Sequence, residues 1–334
     1  MREDFLQRSP GTADFLPKEA LQVESAIRKL ESLFKDNHYQ PVITPLFERV
    51  ANIEAGVNAS TFADTFRMVD PLTGEMVALR PDMTPQVARL VATQFHHIDP
   101  PYRLYYTGRV VRFGSRDQGI QRELFQAGVE LMGDGSPEAD AEVMLLAIRG
   151  LQTLGVKDLK LEIGNVGYVH SLLDGAKFNE QDRLRYLNLL HRKERSAIQE
   201  LLSELSVEEN YRRPLVQLPD LFGNPEILET AAELLTPLST ADAISAVESV
   251  RTIVSQLQEA GEGGRLLIDF GEVRGHDYYT GVVFQGFSIE SAIPLVEGGR
   301  YDRLLATYGR DLPATGCAIN LNAFLNLQRR RGGV

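Results

Sequence analysis

Apolar positions along the chain change rhythm three times. Ala26, Ile27, Leu30, Leu33 and Phe34 recur at helical spacing and predict an amphipathic helix over 18–37. Residues 40–47 are β-branched and alternating, with Pro41 and Pro45, which suits an extended segment at an edge or interface. Residues 66–79 read as a hairpin turning at Asp70-Pro71-Leu72-Thr73-Gly74. A helix is expected from Pro85 to Gln94, then strands from Leu104 to Arg112 and from Arg122 to Met132. Ser136-Pro137-Glu138 opens a strong helix through Val143, Leu146, Ala147 and Leu151.

After a short strand at Leu159–Ile163 the character changes. From about 165 to 261 two or three helices dominate, including 225–236 and 240–258. We read 165–261 as an inserted helical subdomain, and 1–164 with 262–334 as the core. The β rhythm resumes at 265–270, 281–287 and 292–296, followed by a helix from Tyr301 and a terminal helix near 320–327. Strands joined mostly by turns, with helices on one face, imply an α+β fold built on a mostly antiparallel sheet.

Composition narrows the setting. The 334 residues are 43% hydrophobic, enough for a sizeable core. The single cysteine, Cys317, excludes an intrachain disulfide and fits a reducing compartment. Charged Met1-Arg2-Glu3-Asp4 has no apolar run behind it, and no stretch approaches the ~20 apolar residues of a spanning helix. A soluble cytoplasmic protein without a membrane partner is the expectation. Thirty-five basic against 46 acidic side chains give a net charge of −11, which opposes binding to tRNA or any polyanion. Arg329-Arg330-Arg331 reads as a solvated chain end. The six histidines show no HExxH spacing and one cysteine cannot form CxxC, so no metal is expected.

Neither GxxxxGK[ST] nor GxGxxG occurs, so the chemistry sits in a less portable constellation. Arg80-Pro81-Asp82-Met83-Thr84 offers a carboxylate and a hydroxyl at a strand-to-helix junction. They can cap the helix or receive an ammonium group. Arg112-Phe113-Gly114 ends one strand, and Arg122 to Glu130 returns. Gln126, Gly128 and Glu130 share one face of that strand, so two polar groups flank a glycine as a pocket floor would. Tyr278 and Tyr279, between Arg274 and Gly281, read equally as core aromatics or ligand contacts.

Pro10-Gly11-Thr12-Ala13-Asp14-Phe15-Leu16-Pro17, Ile43-Thr44-Pro45-Leu46-Phe47-Glu48, residues 112–126, 316–324 and Arg274-Gly275-His276-Asp277-Tyr278-Tyr279-Thr280-Gly281 together resemble the catalytic core of histidyl-tRNA synthetases. That family is a class II aminoacyl-tRNA synthetase; the second, third and fourth segments resemble its motifs 1, 2 and 3, and the last its histidine-specific signature. The likeness runs from about residue 10 to 327. It implies a homodimer through the motif-1 segment and a histidine-binding set. Asp82 and Thr84 would meet the ligand's ammonium, Gln126 and Arg274 its carboxylate, and Glu130 and Tyr279 its imidazole. Tyr278 would line the wall, and Arg112 persists from motif 2.

The departures fall on the nucleotide side. Gly114 stands where the family has a motif-2 glutamate, Ile120 where it has a second arginine, and Asn322-Ala323 where motif 3 has Glu-Arg. Each charge-assisted hydrogen bond is worth roughly 1.5–3 kcal/mol. Losing several costs orders of magnitude in rate at ~1.4 kcal/mol per tenfold. No anticodon-binding domain is expected after motif 3. A kept amino-acid grip with a lost nucleotide grip resembles the regulatory subunits of ATP phosphoribosyltransferase, a family paralogous to the synthetases. That resemblance implies no catalytic residue, no cofactor, L-histidine as effector and a hetero-oligomer with a short-form catalytic subunit. The role implied is in the first step of histidine biosynthesis, conveying feedback inhibition. The alternative is a truncated synthetase-like amino-acid-activating enzyme; a tRNA-binding module is opposed by the charge.

Overall fold

The computed structural model describes residues 8–114, 121–238, 240–272, 278–291 and 293–332. Helix α1 (Pro17–Asp36) buries Val23, Ala26, Leu30 and Phe34, the stripe its periodicity announced. The extended segment resolves into two short strands, β1 (Gln40–Pro41) and β2 (Phe47–Arg49), split around Pro45. Helices α2 (Val50–Gly56) and α3 (Ala59–Ala63) follow. The hairpin forms as β3 (Arg67–Val69) and β4 (Met76–Leu79), its turn held by the Leu72 amide donating to Asp70 Oδ1 at 2.8 Å. With β2 it makes a small three-stranded sheet, order β2-β4-β3.

Helix α4 (Thr84–Gln94) leads to the longest ladder, β5 (Tyr102–Val111) against β6 (Glu123–Met132), in register from Tyr102↔Met132 to Val111↔Glu123. Helix α5 (Pro137–Thr153) starts where Ser136 accepts from the Ala139 amide, and β7 (Leu159–Asn165) follows. Where two or three helices are expected, the described residues form six: α6 (Val166–Gly175), α7 (Glu180–His191), α8 (Arg195–Glu204), α9 (Glu209–Gln217), α10 (Ile227–Leu235) and α11 (Ala241–Glu259). Between α9 and α10 runs β8 (Phe222–Gly223), which pairs with β9 (Leu266–Asp269) at the sheet edge. Leu172, Tyr186, Leu215, Val250 and Val254 of these helices share one buried cluster with Leu161, Ile163 and Phe284 of the sheet.

The chain closes with β10 (Val282–Ser288), β11 (Val296–Arg300), β12 (Ala314–Asn320) and α12 (Leu321–Arg330). The main sheet runs β1-β5-β6-β12-β11-β10-β7-β9-β8. Only β1/β5 and β7/β9 are parallel, so the mostly antiparallel α+β expectation holds.

Three readings need correction. The helix expected from Tyr301 is a single 3-10 turn, Leu305–Tyr308, stopped by Gly309 at φ 93°. Of the strand expected at 292–296, residue 292 lies outside the described residues, and the ladder occupies Val296–Arg300 instead. Gly298 and Gly299 sit inside that strand because a Cβ on Gly298 would overlap the Gly316 carbonyl, a close approach that composition alone disguises. The arginine end is not free in solvent. Arg329 Nε binds Glu19 at 2.8 Å, while Arg331 reaches Asp158 at 2.6 Å and Glu290 at 2.7 Å. No helix among the described residues is long and apolar enough to cross a membrane.

Candidate functional site

The centre of the site is the middle of β6. Register places Gln126 beside Gly108 and Asn320, Gly128 beside Tyr106 and Ala318, and Glu130 beside Leu104 and Gly316. Paired residues share a face, so the two-residue period gathers these groups above one side of the sheet. Glycines make the room. A Cβ at Gly128 would come within 2.5 Å of the Tyr106 ring, and one at Gly316 would overlap Glu130 Oε2.

Glu130 is 1% exposed. Thr84 Oγ1 donates to its Oε1 at 2.7 Å, and the Tyr301 hydroxyl donates to its Oε2. Burial pushes the Glu130 carboxyl up to about 8; the Thr84 and Tyr301 hydroxyls pull it back, and the nearby Asp82 charge pushes it up again. Asp82, also buried, takes up the capping reading and joins the tyrosines as well. Its Oδ1 accepts from the Thr84 amide at 3.1 Å at the start of α4, and its Oδ2 accepts from the Tyr278 hydroxyl at 3.0 Å. Tyr278 in turn meets Tyr279 and Tyr301 edge-on, at 5.0 and 5.7 Å between ring centres. Asp82, Thr84, Glu130 and Tyr278 thus form one connected group, with Tyr279 packed on it.

Arg112 lies at the margin. Its Nε donates to the Pro81 carbonyl at 2.6 Å, tying the end of β5 to the Asp82 turn. Arg80 holds the same turn from the other side, through the Arg109 carbonyl at 2.7 Å and the Thr44 carbonyl at 3.0 Å. Arg112 and Tyr279 line a cleft of about 310 Å³ with Asn58, Asp64 and Glu297. Gln126 has its Oε1 buried without a hydrogen-bond partner among the described residues, an acceptor or flipped donor still to be satisfied. Arg274 lies outside the described residues, as does Ile120.

A second cleft, of about 870 Å³ and also lined by Tyr279, is bordered by α6, α11 and the core. Polar side chains dominate its helical walls, among them His170, Ser171, Ser245 and Ser249. Glu162, Asp269 and Glu272 bring carboxylate oxygens within 4.8 Å of one another, the one arrangement among the described residues with metal-ligand character. Lys193 Nζ already takes both Asp269 oxygens, at 2.9 and 2.8 Å, so an ammonium supplies the countercharge there.

Positions that depart from the family's motifs 2 and 3 have structural roles here. Gly114 sits at φ 77°, and a Cβ there would be 3.0 Å from the Gln121 carbonyl, so the turn itself favours glycine. Asn322 accepts from the Phe125 amide at 2.7 Å and donates to the Glu123 carbonyl at 3.3 Å, stitching α12 to β6. Ala323 is 1% exposed within the main core, its amide bound to Asn320 at 3.0 Å. Sequence reasoning passed over Tyr301 and Tyr106. In the sequence Tyr301 reads only as the start of a helix, and a tyrosine after a strand is ordinarily core; Tyr106 is found only through its register opposite Gly128.

This sheet and site define a class II protein of the histidyl-tRNA synthetase type. The family model described as "Histidyl-tRNA synthetase" matches residues 11–324. A solved structure from Bacillus halodurans C, titled as an ATP phosphoribosyltransferase regulatory subunit/histidyl-tRNA synthetase, superposes with a TM-score of 0.85 at 30% identity, covering 96% of this chain and 83% of that one. One titled histidine–tRNA ligase subunit, from Alicyclobacillus acidocaldarius, gives 0.82 at 27% identity and covers 98% of both chains. A curated ATP phosphoribosyltransferase regulatory subunit of Syntrophotalea carbinolica is 39% identical over 320 residues, 96% of this chain and 74% of that protein. The chain belongs to the ATP phosphoribosyltransferase regulatory subunit family.

Proposed function

We propose that the chain is the noncatalytic partner of a short-form ATP phosphoribosyltransferase, required for the first step of histidine biosynthesis, and that it conveys feedback inhibition by L-histidine. The observation that carries this reading is the contrast within one site. A buried Glu130 held by two hydroxyls stands beside a buried Asp82, while the motif-3 position is an alanine in the core. Glu130 and Tyr279 address the imidazole, Asp82 and Thr84 the ammonium, and Gln126 and Arg274 the carboxylate, with Arg112 bracing the Asp82 turn. A carboxylate that accepts from a ring N–H selects histidine over isosteres lacking that donor. Ligand binding then biases the partner through differential affinity for two states.

The working unit is a homodimer within a hetero-oligomer, in the cytoplasm, with 165–261 as an insert in the class II core. Support for the dimer comes from the motif-1 segment and the adjoining hairpin, where Ile43 is 97% exposed and Leu72 94%, with Phe47 and Val69 beside them. The test is ATP phosphoribosyltransferase activity of a short-form catalytic subunit with and without this chain, across a histidine titration. Activation that histidine reverses is expected; no effect on a matched partner would end the reading. The second reading, an amino-acid-activating enzyme, is favoured by the matching span of the Alicyclobacillus ligase subunit. Histidine-dependent ATP–pyrophosphate exchange separates the two, and none is expected.

A further inference from the structure

Buried carboxylates are usually paired with a cation. Glu130 is not: among the described residues Thr84 donates to Oε1 and Tyr301 to Oε2, both neutral hydroxyls, and the neutral Tyr106 phenol also acts on the carboxyl. A carboxylate has about four lone-pair positions, so at least one remains for a ligand. The geometry also holds Tyr301 firmly. Its amide donates to the Ala314 carbonyl at 2.7 Å. Its neighbour Arg300 is buried and bound to Asp140 Oδ2 at 2.9 Å and to the Ser136 carbonyl at 2.9 Å. Its ring lies edge-on to Tyr278, whose hydroxyl is on Asp82. Tyr301 therefore touches both the carboxylate assigned to the imidazole and the ring leading to the carboxylate assigned to the ammonium.

We propose that Tyr301 is a positioning and specificity residue of the amino-acid pocket. Its hydroxyl, with that of Thr84, sets the plane of the Glu130 carboxylate so that a remaining lone pair meets an imidazole N–H. Because both donors are neutral, the negative charge that Glu130 gains on ionising is left for the ligand rather than spent on a side chain. Gly316 completes the device, since any side chain there would collide with the oxygen that Tyr301 holds. The titratable groups around Glu130 are Asp82, Tyr106, Tyr278, Tyr279, Tyr301 and Cys317. Burial raises all four phenols and the thiol, so they stay neutral where Glu130 ionises.

This inference rests on the histidine reading above, and the test separates the two. L-Histidine and an N-methylated histidine are titrated calorimetrically into the full chain and into Tyr301→Phe, from pH 6 to about 9, with Thr84→Val as the companion variant. Phenylalanine keeps the ring packing and deletes only the donor. The wild-type chain should bind histidine and discriminate against the methylated form. Tyr301→Phe should bind histidine roughly tenfold more weakly at neutral pH, the scale of one lost hydrogen bond to a charged group. It should recover part of that loss as pH rises, and discriminate less. A role in packing alone would lower affinity equally at every pH. Thr84→Val should shift the pH profile in the same direction. Unchanged affinity, pH profile and discrimination in Tyr301→Phe would overturn the role of Tyr301. Absence of histidine binding to the wild-type chain would instead remove the reading beneath it.

Discussion

The two ends of β6 have gone separate ways. Around Glu130 at its inner end, buried polar groups bind one another: the neutral hydroxyls of Thr84 and Tyr301 both donate to the carboxylate. Around Glu123 and Phe125 at its outer end, the corresponding polarity is spent on backbone, as Asn322 bonds a strand amide and carbonyl and Ala323 disappears into the core. The comparison teaches that side chains along one strand can bind one another at one end and brace backbone at the other, where a cleft of about 260 Å³ lined by Arg109, Glu123, Phe125 and Asn322 stays open. A small residue packed in the core resists replacement by a long charged one.

The most demanding test is to force that replacement. Ala323→Arg should cost about 3–5 kcal/mol in denaturant unfolding, the penalty of an unpaired buried charge. It should gain no ATP–pyrophosphate exchange. Wild-type stability together with nucleotide binding would erase the distinction between the two ends.

Next is Glu130→Gln, expected to weaken histidine roughly ten- to a hundredfold by calorimetry while the elution volume in gel filtration stays that of the unsubstituted chain. It also carries a pH signature. The folded carboxyl lies near 8, above its ordinary 4.5, so over that interval the folded state holds a proton the unfolded chain has released. Stability of the ligand-free protein is therefore highest below about 4.5 on this account and falls as pH rises toward 8; the glutamine variant should flatten that fall.

Asn322→Ala probes the scaffold end and should cost about 1–2 kcal/mol through two unmade backbone bonds, with histidine affinity nearly unchanged. A large loss of affinity would mean that the outer end still positions Gln126. Smallest of all, Arg331→Ala should cost about 0.5 kcal/mol in thermal unfolding and nothing in binding, as a partly exposed ion pair to Asp158 implies.

Much of this was legible beforehand. The helix over 18–37, the hairpin at 66–79 and the β5–β6 pair follow from apolar period and turn chemistry, both local properties. So does the shared face of Gln126, Gly128 and Glu130, because a strand's period is two. Less legible were the elements whose local signals conflict with their surroundings. Gly298 and Gly299 resemble a linker yet occupy the middle of the sheet, because neighbouring strands leave no space for a Cβ. The run after Tyr301 has helical composition, but Gly309 and the fixed Arg300 leave one turn of 3-10 helix. The three terminal arginines looked solvated because their acidic partners, Glu19, Asp158 and Glu290, are remote in sequence.

By itself the sequence determined the class of fold, the family and the residue types available to a polar site, since these depend on spacing and identity. Tertiary structure alone decided which of them act together. Only strand register could set Tyr106 over Gly128 and bring Gly316 under Glu130. Only packing at the end of β11 could deliver the Tyr301 hydroxyl to a carboxylate 171 residues away in the chain. Contacts between distant segments are fixed by closure of the whole sheet, and no local pattern encodes them.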